Sequence, residues 1–167
     1  MGMGADLSLV LHGTKAQPEP GTTFCLSSTT PDYSTYELDF GAAGVAPTVA
    51  SDVIGQTLPT YPTMPRGGQN WGLHVIVTTA FTSTDSGHFP VTISAISSNS
   101  PGDTSTYVVL GSRIFTLTQF EVAGAHYFIP CSPGMLRYLR AMFAVTTGIT
   151  GNGKVYIYFG PDSDGGM

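Results

Sequence analysis

The stretch GITGNGKV, residues 148–155, is where glycines and a lysine come nearest to a spacing that does chemistry. A phosphate-binding loop needs G-x-x-x-x-G-K and then Ser or Thr. Backbone amides cradle the phosphate, the lysine reaches its outer oxygens, and the hydroxyl ligates magnesium. Gly148, Gly153 and Lys154 fit, but Val155 stands where the hydroxyl is required. Such a loop must also open a helix, whose first amides hold the anion. Residues 154–160, KVYIYFG, alternate as a strand does. Asn152-Gly153 between two alternating runs predicts a hairpin turn instead, because both residues tolerate positive φ.

The other reactive side chains give no stronger signal. Glu37 and Asp39 are two apart on an expected strand and share a face. Paired carboxylates can do acid–base work or hold a metal. Without a partnering cluster, the expected role is a solvated outer face of an edge strand, where charge discourages edge-to-edge pairing. His12, His74, His88 and His126 form no HxH or HExxH pair. His74 is expected on the face opposite Leu73 and Val75. Ser-His-Asp sets assemble in space, but no G-x-S-x-G elbow exists, and LGSRI lacks the glycine after the serine. The chain is not expected to be an enzyme, and no metal or cofactor is implied. Trp71 comes directly after RGGQN. It could stack on a sugar ring, but large aromatics more often plug a core. Cys25 and Cys131 are too few and too far apart for a zinc motif or a disulfide framework. Both are expected to be thiols in a reducing cytoplasm, a single Cys25–Cys131 bridge being the alternative.

The composition describes what must position these residues. A chain of 167 residues suggests one domain. Charged residues make up 10% of it, against a usual share of about 25%. Frequent Gly, Pro, Ser and Thr suit strands joined by tight turns rather than helices with solvated faces. The net charge is −5, and 6 basic residues cannot build the stripe that nucleic-acid binding needs. No apolar run approaches the roughly 18–20 residues of a membrane span, and residues 1–13 do not read as a signal peptide. So little charge also suggests that much of the surface is covered in the working state.

The chain divides into an extended, irregular N-terminal arm (1–30), a domain (31–162) and a short disordered tail (163–167). Pro18, Pro20 and Gly21 break the arm, and glycines and prolines make residues 41–71 a long irregular loop. Elsewhere, period-two alternation predicts strands. Tyr36, Leu38 and Phe40 share a face. So do Leu73, Val75, Val77, Thr79 and Phe81, and so do Phe89, Val91, Ile93 and Ala95. Leu139, Ala141, Phe143 and Val145 share another, as do Val155, Ile157 and Phe159. About eight strands and no helical periodicity predict an all-β fold, an antiparallel β-sandwich of jelly-roll type.

If those inward residues fill the core, Tyr138, Arg140, Met142, Tyr156 and Tyr158 lie together on the outer face of a final hairpin. Tyr, Met and Arg are enriched at protein interfaces. This face is a candidate protein-binding surface, with Arg66 and Trp71 as further candidates. The alternative is that a second layer, such as the 41–71 connection, covers it.

The order of pieces carries a resemblance. YELDFG at 36–41 precedes LHVIVTTAFTSTDSG at 73–87, VTISAISSNS at 91–100, VVLGS at 108–112 and AGAHYFIP at 123–130. RYLRAMFAVTTGITGNGKVYIYFGPD at 137–162 closes the series. Over residues 34–162 the chain resembles the jelly-roll capsid cement (decoration) proteins of tailed bacteriophages. The 41–71 insertion is longer than in that family, and the first 30 residues have no counterpart. The resemblance implies a structural viral protein on the outer surface of the capsid, made in the bacterial host cytoplasm. It would bridge subunits of the major capsid protein as a homodimer or homotrimer, without nucleic acid or membrane. A rival from another class is a carbohydrate-binding, lectin-like module, since jelly rolls also serve lectins.

Overall fold

A computed structural model describes residues 10–12, 22–23, 32–40, 71–132, 134–145 and 153–162. The strands in chain order are β1 (Val10–His12), β2 (Thr22–Thr23), β3 (Asp32–Tyr33), β4 (Leu38–Asp39), β5 (Trp71–Thr79), β6 (Val91–Ser98), β7 (Val108–Phe115), β8 (His126–Pro130), β9 (Tyr138–Val145) and β10 (Lys154–Pro161). A 3-10 turn at Ser83–His88 and one helical turn, α1 (Leu117–Phe120), complete the elements. Every pairing is antiparallel.

The first sheet runs β1-β10-β5-β8, with β2 also on β10. The second runs β3-β9-β6-β7, with β4 also on β9. β1 meets β10 at Tyr158 and Ile157, while β2 meets it at Lys154 and Val155. The two therefore share one edge and act as a single interrupted strand. β3 and β4 share β9 in the same way, at Met142–Phe143 and at Tyr138–Leu139. Counted so, eight strands run 1-8-3-6 in one sheet and 2-7-4-5 in the other, the double Greek key of a jelly roll.

The alternation read from the sequence places the core. Leu73, Val75 and Val77 pair in register with Phe159, Ile157 and Val155. Across the sandwich, Val91, Ile93 and Ala95 pair with Val145, Phe143 and Ala141. All but the partly buried Val145 are buried. Each large apolar side chain so buried contributes about 1.5–3 kcal/mol relative to exposure. Thr79, expected on the Val77 face, is exposed where β5 ends. One end of the sandwich is closed by Phe81, Phe89, Phe115 and Phe120, with ring centroids 5.0 to 5.8 Å apart. The other end holds Trp71, Phe159 and Phe40, with Phe159 centred 5.2 and 5.9 Å from the other two.

Two expectations change. The expected arm is not irregular throughout: β1 and β2 lie within residues 1–30 and pair with β10. Leu11 is completely buried in the core, so apolar burial outweighs the nearby breakers. Nor do β9 and β10 form a hairpin. They lie in opposite sheets. The 41–71 loop before Trp71, Asn152 and the 163–167 tail lie outside the described residues.

The sheet edges are held together at one corner. Ala95 pairs with Gly111 and Ile96 with Val109, leaving Leu110 as an extra residue on β7. The Leu110 carbonyl accepts from Ser132 N–H at 2.8 Å and Ser132 Oγ at 2.9 Å. A Cβ on Gly111 would overlap the Pro130 carbonyl, so glycine is what lets β7 and β8 approach.

Candidate functional site: the two outer faces of the sandwich

β9 turns Leu139, Ala141 and Phe143 inward and therefore Tyr138, Arg140 and Met142 outward. The outer face that they join belongs to the second sheet. Part of it is covered by the β6–β7 connection, residues 99–107. Both carboxylate oxygens of Glu37 accept from Gly102 N–H at 3.1 Å. The Tyr33 side chain is hydrogen-bonded to Thr104, and burial raises the Tyr33 pKa, with Tyr107 adding to the effect. The Arg140 guanidinium lies over the Tyr33 ring at 4.9 Å, and its Nε is 3.9 Å from Glu37 Oε2. That Nε is buried with no hydrogen-bond partner. Ile96, opposite Arg140 and outside the core cluster, is 2% exposed.

Glu37 and Asp39 are therefore not a bare solvated pair. Asp39 takes a two-point grip from Arg137, Nε to Oδ1 at 2.8 Å and Nη2 to Oδ2 at 2.9 Å. The grip raises the Arg137 pKa, chiefly through that hydrogen bond, and the guanidinium also covers the Tyr138 ring at 4.9 Å.

Tyr156 and Tyr158 lie on the opposite side of the molecule, on the outer face of the first sheet. The expectation that all five residues share one surface is thus corrected. The cause is that β9 and β10 belong to different sheets. In register, Tyr158, His74 and Phe128 form one row, and Tyr156, Ile76 and His126 the next. His74 stacks on Tyr158 with centroids 4.5 Å apart and planes 4° apart, and Phe128 lies 4.9 Å from it. Gly72 and Gly160 pair beneath this row. A Cβ on Gly160 would come 3.4 Å from Tyr158 and 3.5 Å from His74, and one on Gly72 would meet Phe128 at 2.8 Å. The rings lie down over the glycines. Tyr156 is 1% exposed, so within this chain it is not available to a partner. Its hydroxyl is buried without a hydrogen bond, and burial pushes its pKa up to about 12.

His74 and His126 are joined by a hydrogen bond, Nδ1 to Nε2, of 2.8 Å. The His74 Nε2 bonds the Pro161 carbonyl at 2.9 Å. A carbonyl only accepts, so His74 Nε2 carries the proton. In the neutral ring, Nδ1 then accepts, and His126 Nε2–H donates to it. His12 is elsewhere, buried between the sheets, its ring centroid 4.9 Å from that of Phe143, and its Nδ1 accepts from Thr35 N–H at 3.3 Å. Sequence reading missed the His74–His126 pair because 52 residues separate its members.

Trp71 is partly buried and packs against the core, its indole N–H buried without a hydrogen-bond partner. Arg66 and Cys25 lie outside the described residues. Cys131 is a free thiol, pushed up to about 12 by burial. Among the described residues, no group of three or more His, Cys, Asp or Glu could hold a metal, and no helix is long and apolar enough to cross a membrane.

One surface went unread in the sequence. Val108, Val109 and Ile114 on β7 are 42%, 51% and 63% exposed. The alternation of Ile114 with buried Phe115 was a local signal. That β7 ends the second sheet among the described residues was not.

None of the curated proteins compared with the chain matches it. The family model described as Bbp16 matches residues 39–158, from β4 into β10 and well over half of the chain. The chain belongs to the Bbp16 family, which is bacteriophage-associated.

Proposed function

We propose that the protein is a structural component of a phage virion, a decoration protein that docks on the outside of the capsid and bridges major capsid subunits. The observation that carries this reading is β7. Among the described residues it ends its sheet; it presents Val108, Val109 and Ile114 to solvent and contains one charged residue, Arg113. Exposed edges are normally protected by charge or proline, and grouped exposed apolar residues mark interaction surfaces. Arg113 is turned onto the chain's own rings, 5.1 Å from the centroids of Phe115 and Tyr127, which leaves the edge largely uncharged. The phage-associated family supports the setting. Symmetric self-association as a homodimer or homotrimer and many weak contacts across a lattice would give firm net attachment. The role is that of a structural protein, not an enzyme. The lectin-like alternative would rest on Trp71, which is partly buried and packs against the core.

The test is co-sedimentation of the purified protein with phage heads that lack it, with stoichiometry read from the pellet. Saturable binding at a fixed ratio to the major capsid subunit is expected. Absence of binding to mature heads would sink the reading.

A further inference from the structure

The His74–His126 pair has the form of a half-built metal centre. A metal-ligating histidine typically donates its other ring N–H to a carbonyl or carboxylate, which fixes the tautomer and aims the remaining nitrogen at the metal. His74 is held in this way: Nε2–H to Pro161 O at 2.9 Å, with Nδ1 aimed at His126 Nε2, 2.8 Å away. Its ring is 2% exposed and stacked on Tyr158, so its position is set. His126 is exposed at the start of β8, one register step diagonal to His74. One ligand is thus fixed on an inner strand, and the other faces solvent and can turn.

We propose that His74 Nδ1 and His126 Nε2 together bind a divalent late first-row metal, Cu2+ or Ni2+ in preference to Zn2+. Two nitrogens about 2.0 Å from a metal stand about 2.8 Å apart at a right angle, and about 3.3 Å apart at a tetrahedral one. The hydrogen-bonded nitrogens stand 2.8 Å apart, so a small turn of His126 reaches either spacing, and two imidazole nitrogens completed by water oxygens are the N,O set that Cu2+ and Ni2+ take tetragonally. Among the described residues no third ligand completes the set, so water fills the remaining positions and the site is a chelate of modest affinity. On binding, His126 releases its Nε2 proton to solvent and takes one from solvent at Nδ1, so the ring stays neutral and its Nε2 lone pair turns from the hydrogen bond to the metal. A bound ion would tie β8 to β5 and, through the Pro161 carbonyl, to the end of β10. This proposal does not depend on the capsid reading.

The test is calorimetric titration of the tag-free full-length protein with CuCl2, NiCl2 and ZnCl2, alongside thermal unfolding. Expected are one equivalent bound, Cu2+ tightest, and a Tm raised by roughly 5–10 °C at about 100 times the Kd. Chelator should reverse the shift. His126→Ala removes an exposed side chain, so the fold should survive while saturable binding is lost. His88→Ala, a histidine on the 3-10 turn, should bind as the parent does. No saturable binding by the parent, or unchanged binding by His126→Ala, would overturn the proposal and leave the pair a hydrogen bond only.

Discussion

The Phe81 ring lies against Gly153, where any Cβ would overlap it. Phe81 is itself 2% exposed and packs on Phe89 and Phe120. The glycine that makes residues 148–154 resemble a phosphate loop is thus needed for close packing at one end of the core. Gly153→Ala should destabilise the protein by about 1–3 kcal/mol, the usual cost of overpacking, lowering Tm by roughly 2–12 °C. Thermal unfolding followed by circular dichroism would show it. An unchanged Tm would mean that the ring has room to move.

Ser97 fastens β6 to the chain entering β9. Its buried hydroxyl donates to the Tyr138 carbonyl at 2.7 Å and accepts from Leu136 N–H at 2.9 Å. Ser97→Ala leaves both backbone groups without this partner, at a cost of about 1–3 kcal/mol. Urea unfolding should show a lower midpoint with an unchanged slope.

Alkaline pH should unfold the protein in a defined window. Burial raises Cys131 from 9.0 to about 12 and Tyr156 from 10.0 to about 12. The unfolded chain therefore releases these protons at lower pH than the folded one. By linkage, stability is fully present below about pH 9 and falls as pH rises toward about 12. Tm measured against pH should show this decline. Tyr156→Phe, which also removes an unpaired buried hydroxyl, should flatten the part above pH 10. An identical profile in that variant would show that the tyrosine does not contribute.

Ile114→Ser tests the β7 edge apart from the fold. At 63% exposure the side chain contributes little to folding, so stability should change by less than about 0.5 kcal/mol. Binding to heads lacking the protein should weaken in co-sedimentation. Parent-like binding by Ile114→Ser combined with Val109→Ser would remove β7 as the docking edge.

What the sequence determined by itself was which way its side chains face. Side chains in a strand alternate strictly between faces, so Leu73, Val75 and Val77, or Val155, Ile157 and Phe159, could be assigned inward without any partner known. Low charge and frequent turn residues were enough to indicate an antiparallel sandwich. Local alternation carries no information on which sheet a strand joins. β9 and β10 are neighbours in the chain, yet core packing places them in opposite layers, which separates Tyr138, Arg140 and Met142 from Tyr156 and Tyr158. The cover over Arg140 comes from a loop anchored by Glu37, 65 residues before Gly102. The His74–His126 pair and the exposed edge at β7 likewise exist only once distant strands are in register. Those contacts join residues far apart in the chain, so tertiary structure alone decided them.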